Sequence, residues 1–123
     1  MPLLPEDEEY LRGQGFEYNV SQWNDQMVVV ITGYGLPPIY SERKVDLLVM
    51  IPPGYPIAKM DMFWVYPDIR LLRTNSYPVA ADYMQEILGK VWQRFSRHYD
   101  WRPGVDSLAH HLGTVKNVLY SAT

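Results

Sequence analysis

The sequence contains no cysteine among its 123 residues. A chain without cysteine forms no disulfide, binds no metal through a thiolate and carries no acyl group as a thioester. It also has no apolar run near the roughly 20 residues of a membrane-spanning helix, and no apolar signal-type region follows Met1. These absences exclude thiol chemistry and predict a soluble, cytoplasmic protein with no membrane partner.

Clustered positive charge is missing as well. The chain has 11 Lys and Arg residues against 14 Asp and Glu residues, for a net charge of −3, and no basic run stands out. Because nucleic-acid binding favours a basic face, we predict no nucleic-acid partner. The apolar fraction of 47% and the aromatic fraction of 14% suit one domain over residues 1–123 with a single core.

Four segments have the composition and spacing of β-strands. They are residues 16–20, 26–32, 44–51 and 60–65. The second is a nearly continuous Val/Ile run, which predicts a strand covered on both faces. The third alternates weakly, with Val45 and Leu47 on the same face. Consecutive strands joined by short turns predict a four-stranded antiparallel meander.

Two short helices are predicted. The first is predicted over residues 1–12, with Pro5 in its first turn. Its acidic residues lie near the helix N-terminus, where the helix dipole favours negative charge. We interpret those acidic side chains as solvated. Residues 80–88 have apolar side chains at helical spacing and predict a second short helix, with one face made of Tyr83, Met84, Ile87 and Leu88.

The clearest helix is predicted over residues 103–120, with Pro103 and Asp106 as start signals. Its apolar stripe consists of Val105, Leu108, Leu112, Val115 and Leu119. His110 and His111 fall largely off this stripe, and adjacent residues on a helix face different directions. We therefore interpret both histidines as surface residues and predict no metal site. With the strands, this helix predicts an α+β fold.

A series of short motifs precedes this helix. In order they are Tyr55-Pro56, Tyr66-Pro67-Asp68-Ile69, Gly89-Lys90-Val91 and Trp101-Arg102-Pro103. The order resembles the ubiquitin-conjugating (E2) superfamily, in which a Tyr-Pro turn, His-Pro-Asn, Gly-X-Ile-Cys-Leu and Trp-X-Pro follow one another. The resemblance implies an E2-like fold for nearly the whole chain, with the meander packed on the C-terminal helix.

The resemblance also places a tryptophan where the family has its nucleophile. Trp92 stands at the cysteine position, and an indole forms no thioester. We interpret Trp92 as a core or partner-facing aromatic residue. The frame of a vestigial site consists of Tyr66, Pro67, Asp68, Gly89, Trp92, Trp101 and Pro103. Residues 69–88 form an insertion that is longer than in ordinary members, and we predict that it packs over Trp92.

A hydroxyl in place of the thiol is an open alternative. Ser96 lies four residues beyond the lost cysteine position, and His98 is the nearest candidate base. Ser76 and Tyr77 in the insertion are rival hydroxyls. Asp68 stands where the family has its asparagine. An ionised carboxylate cannot stabilise an oxyanion, so Asp68 is either a turn residue or a general base.

The segment WQRFSRHYDWRPGVDSL is most similar to the prokaryotic E2-like family E. This resemblance implies an E1-like adenylating protein and a ubiquitin-like protein as partners, with contacts through Tyr55, Pro56, Arg94 and Arg97. It implies no cofactor. Three functions remain open: a binding scaffold without catalysis, a conjugating enzyme that carries its cargo as an oxyester, and an interaction domain of the RWD type.

Overall fold

The computed structural model describes residues 3–98 and 100–121, and in this part of the chain there are two helices and six strands. They are α1 (Pro5–Gly13), β1 (Glu17–Trp23), β2 (Gln26–Gly35), β3 (Lys44–Ile51), β4 (Phe63–Tyr66), β5 (Tyr83–Ile87), β6 (Lys90–Phe95) and α2 (Leu108–Ser121). Neither of the described helices is long and apolar enough to cross a membrane.

The strands form one antiparallel sheet in the order β1-β2-β3-β4-β6-β5. Strands β1 to β4 make the predicted meander. The sheet is nevertheless six-stranded rather than four-stranded, because the hairpin β5–β6 adds two strands at the β4 edge. In this hairpin β6 pairs with β4, and β5 becomes the edge strand.

The predicted helix over residues 80–88 is wrong, since Tyr83–Ile87 is strand β5. Leu88 and Gly89 close a two-residue turn with φ values of 53° and 81°, which places Ile87 opposite Lys90. Such a turn matches the twist of paired strands. The pairing with β6 gives the backbone groups of this segment hydrogen-bond partners. A single helix of this length would be only marginally stable.

The two faces of the sheet carry different clusters. Both described helices contribute to the larger cluster, on the face that we call the inner face. It includes Leu11 of α1 and four residues of α2, and Phe63 stacks on Phe95 there with ring centroids 4.6 Å apart. The opposite, outer face has a smaller cluster of Val28, Leu48, Trp64, Ile87 and Trp92. The alternation of side chains along each strand separates the two sets.

Helix α2 begins at Leu108, five residues after the predicted start. Asp106 is not its first-turn cap, because its carboxylate accepts hydrogen bonds from the Arg102 backbone N–H at 3.0 Å and from Arg102 Nε at 2.9 Å. Val105 lies before the helix and is 61% exposed, so it does not belong to the apolar stripe. The remaining stripe residues are buried, as predicted: Leu108, Leu112, Val115 and Leu119.

One of the two helix histidines is a core residue. His110 is exposed, but His111 is buried and its Nε2 donates to the Met62 carbonyl at 3.1 Å. The prediction of a surface residue was therefore wrong for His111. The helix turns this side chain toward the loop before β4, where a backbone acceptor satisfies it.

Helix α1 confirms the predicted N-terminal helix, with Pro5 in its first turn. Met1 and Pro2, the start of the predicted segment, lie outside the described residues. The prediction that the acidic residues of α1 are solvated is wrong for Asp7, which is only 2% exposed. Asp7 Oδ2 accepts a hydrogen bond from Tyr55 Oη at 2.8 Å, which compensates part of the cost of burying the carboxylate.

Candidate functional site

Trp92, which the motif resemblance aligns with the family's nucleophile, is a core residue of the outer face. It is 2% exposed and belongs to the same cluster as Ile87, whose carbonyl accepts a hydrogen bond from Trp92 Nε1 at 3.0 Å. Strands β4 and β6 pair Val65 with Gln93, and one position further the Tyr66 and Trp92 rings lie 5.8 Å apart. The ring is thus held on one side by the hairpin turn and on another by the end of β4.

Lys90 extends this aromatic pair to the surface. Its Nζ lies 4.8 Å from the centroid of the Tyr66 ring and 5.9 Å from that of Trp92. Asp46 Oδ2, on β3, is 3.9 Å from the same ammonium group. The arrangement is a cation over aromatic rings, paired with a carboxylate.

Of the segment predicted to pack over Trp92, Ile87 lies in the same cluster as this ring. Tyr83 and Leu88 are 51% and 44% exposed. Tyr77 is engaged elsewhere, because its hydroxyl donates to Asp68 Oδ2 at 2.9 Å and Arg70 lies over its ring at 4.3 Å. The hydrogen bond to Asp68 is the main cause of the raised Tyr77 pKa.

The sequence-based predictions missed Gln93, whose side chain hydrogen-bonds to the backbone of the segment 69–88. Its Oε1 accepts from the Ile69 N–H at 2.8 Å, and its Nε2 donates to the carbonyls of Ile69 at 3.1 Å and Ala81 at 2.7 Å. The side chain is fully buried. A polar residue at an inward-facing position of a strand was the available signal, because a buried amide requires several partners.

Ser96 and His98 have separate partners. Ser96 Oγ accepts a hydrogen bond from Arg94 Nε at 3.1 Å, and His98 Nδ1 lies 3.1 Å from Asp61 Oδ2. Within residues 3–98 and 100–121, no hydrogen bond joins Ser96 to His98. A serine nucleophile needs a base within hydrogen-bond reach, and the predicted pair does not have this geometry.

Among the described residues, Trp101, another residue of the frame, contacts the Tyr55-Pro56 turn and not Trp92. The Pro56 carbonyl accepts hydrogen bonds from Trp101 Nε1 at 2.9 Å and from the Gly104 N–H at 3.1 Å. The Tyr55 hydroxyl in turn accepts from the Leu108 N–H at 2.7 Å. The Trp101-Arg102-Pro103 segment therefore holds the start of α2 against this turn, while Tyr66 and Trp92 contact each other on the outer face.

In the part of the chain that the structure describes, no group of three or more His, Asp or Glu side chains is arranged to hold a metal ion. Around Trp92 the structure places the Tyr66 ring and the Lys90 ammonium group. Among the described residues, none of the hydroxyls of Ser76, Tyr77 and Ser96 has a hydrogen-bonded histidine base.

An antiparallel sheet with a C-terminal helix on one face is compatible with an E2-like fold. The family model of prokaryotic E2 family E matches residues 3–122, and the chain belongs to this family. The resemblance read from the motifs is thereby confirmed, for a member without cysteine. Among curated proteins and among solved structures, nothing matches the chain.

Proposed function

We propose that this protein is a cysteine-free component of a bacterial ubiquitin-like conjugation pathway and acts as a binding scaffold for an E1-like or a ubiquitin-like protein. The family supports a role in such a pathway. The observation that carries the scaffold role is the burial of Trp92, which stands where the family has its nucleophile and is 2% exposed. A buried indole has neither the access nor the chemistry to accept a ubiquitin-like tail.

The proposed partner contacts are Tyr55, Pro56, Arg94 and Arg97. Arg94 is the best placed of them, because it lines a pocket of about 310 Å³ on the outer face together with Trp23 and Trp64. Its guanidinium lies 4.2 Å from the centroid of the Tyr83 ring, which holds the charge at the surface. Arginine and aromatic side chains are enriched among residues that dominate binding energy.

A conjugating enzyme with an oxyester on Ser96 is the second candidate. The hydrogen bond from Arg94 Nε to Ser96 Oγ favours it, since an adjacent cation stabilises negative charge on oxygen. In this alternative His98, paired with Asp61, or Asp68 removes the proton. Geometry argues for the scaffold, because among the described residues no hydrogen bond joins Ser96 to His98, and Asp68 accepts a hydrogen bond from Tyr77.

Binding is tested with the E1-like and ubiquitin-like proteins of the proposed pathway. We expect the purified protein to bind one of them, and Arg94→Ala to weaken binding by about tenfold, roughly 1.4 kcal/mol. Arg73→Ala removes the same charge from an exposed loop and should leave the affinity unchanged. Absence of binding to both proteins contradicts the proposal.

A further inference from the structure

A second pocket lies away from Trp92, between the start of α1, the turn that joins β1 to β2 and the loop that follows β3. Its volume is about 270 Å³. The walls are mostly apolar and include Leu3, Met27, Ile51 and the ring of Tyr55, and the acidic residues Asp7 and Asp25 also line it. None of the residues that contact Trp92 takes part.

Among the described residues, the acidic side chains of this pocket have no cationic partner. None of the described lining residues is Lys, Arg or His, and none of the ion pairs among the described residues involves Asp7 or Asp25. Asp7 lines the pocket with only 2% of its surface exposed, and burial raises its pKa although the Tyr55 hydrogen bond opposes the shift. A carboxylate in an apolar pocket is stabilised when a cation enters beside it.

The shape of the pocket selects among cations. Its volume lies below the roughly 300–1,000 Å³ of pockets for drug-sized molecules, so one long side chain is a better match. A methylene chain packs against the apolar walls and leaves its charged end at the carboxylate. Tyr55 already occupies Asp7 Oδ2, which disfavours the two-point grip of an arginine and favours the single charge of an ammonium group.

We propose that this pocket binds a lysine side chain of the partner protein, with its ammonium group paired to Asp7 and its methylene chain against Leu3, Met27 and Ile51. Asp25 adds negative charge at the same pocket. The inference rests on the proposed function, because the lysine belongs to the protein that the scaffold binds. It identifies the chemistry of one contact, at a place separate from Arg94.

The direct test is an NMR titration of the full chain with Nα-acetyl-lysine methylamide. The matched probe is Nα-acetyl-norleucine methylamide, which has the same chain length without the ammonium group. We expect the lysine probe to shift the amide signals of Asp7, Met27 and Gly54, which line the pocket. We expect the norleucine probe to bind at least tenfold more weakly, and equal shifts from both probes overturn the proposal.

Single substitutions test which carboxylate is required for lysine binding. Asp7→Asn should weaken lysine binding at least tenfold, while Glu9→Gln removes one charge from an exposed position of the same helix and should change nothing. If Asp7→Asn does not fold, Asp25→Asn, at an exposed turn, should still weaken binding severalfold. Unchanged binding in the folded aspartate variants overturns the proposal.

The same variants separate this inference from the proposed function. If lysine binds but neither pathway protein does, the proposed function fails and the pocket is a lysine site without that partner, which overturns the inference as stated. If a pathway protein binds wild type and Asp7→Asn equally, the scaffold role stands and the lysine contact fails. Loss of both lysine and partner binding in Asp7→Asn supports the two together.

Discussion

At the scale of single residues, the surroundings of Trp92 are those of a packing group. Its indole N–H is satisfied by a backbone carbonyl at 3.0 Å, and its ring lies against Tyr66 at the end of β4. The ring at this position contributes to packing of the outer face. Burial at position 92 is therefore the property to measure.

Trp92→Cys gives the chain a single thiol, since the sequence has no cysteine. We expect this thiol to react with Ellman's reagent on the order of tenfold or more slowly than the thiol of Val91→Cys, because a buried group reacts only after local opening. Val91 is the neighbouring residue and is 56% exposed. The comparison requires that both variants have native circular dichroism and that their thiols react at equal rates in denaturant. Equal rates in the folded proteins would then contradict burial of position 92.

His111 makes the stability of the fold depend on pH. Burial lowers its pKa from 6.5 to about 4, against the weaker opposing effects of the Met62 carbonyl and of the Asp61 charge. Since the folded pKa lies below the unfolded one, the unfolded chain takes up the proton first as the pH falls. The contribution of His111 is complete above its unfolded pKa and is lost as the pH falls from about 6.5 toward 4.

We expect urea unfolding to show a loss of about 2 kcal/mol from this group between pH 8 and pH 5. His111→Gln keeps a hydrogen-bond donor and does not titrate, so its stability should fall less over the same range. Asp7, whose raised pKa acts in the opposite direction, is present in both proteins and cancels in the comparison. Parallel pH profiles for wild type and His111→Gln would refute a buried neutral imidazole.

At the scale of secondary-structure elements, most of the local pattern could be predicted and the hairpin β5–β6 could not. The Val/Ile run and the apolar stripe of α2 are local signals, and both elements formed. The segment from Tyr83 to Leu88 carries apolar residues at helical spacing, which favoured the wrong element. Its strand depends on a turn with Leu88 at φ 53° and on pairing with β6, and leucine does not signal such a turn.

Leu88→Asn should therefore stabilise the protein by about 0.5–1 kcal/mol, because asparagine adopts positive φ at lower cost and Asn-Gly favours this turn. Leu88 is 44% exposed, so little packing is lost. Leu72→Asn is the matched control, since Leu72 is also exposed and is not among the described residues at positive φ. A lower urea midpoint for Leu88→Asn than for Leu72→Asn would count against the turn.

The apolar stripe of α2 is testable at two of its predicted positions. Leu112 is 3% exposed on the inner face, and Leu112→Ala should cost about 2–5 kcal/mol of unfolding free energy. Val105 lies before the helix and is exposed, so Val105→Ala should change the unfolding free energy by less than about 0.5 kcal/mol. Similar urea midpoints for the two variants would contradict the observed start of the helix.

At the scale of the whole molecule, the motifs identified the family but not the arrangement of the frame. Trp101 contacts a carbonyl 45 positions earlier in the chain, and the Tyr55 hydroxyl reaches Asp7 across 48 positions. Spacing along the sequence contains no information on such contacts. They hold the start of α2 and the start of α1 on one turn, so the Tyr-Pro and Trp-X-Pro motifs have an architectural role here.

The proposed function is binding without covalent transfer. It is tested most directly by the intact mass of the protein after incubation with the E1-like protein and the ubiquitin-like protein of the proposed pathway and ATP. We predict an unchanged mass and retention of a partner under native conditions. An adduct that resists thiol, is cleaved by hydroxylamine and disappears in Ser96→Ala would contradict this claim.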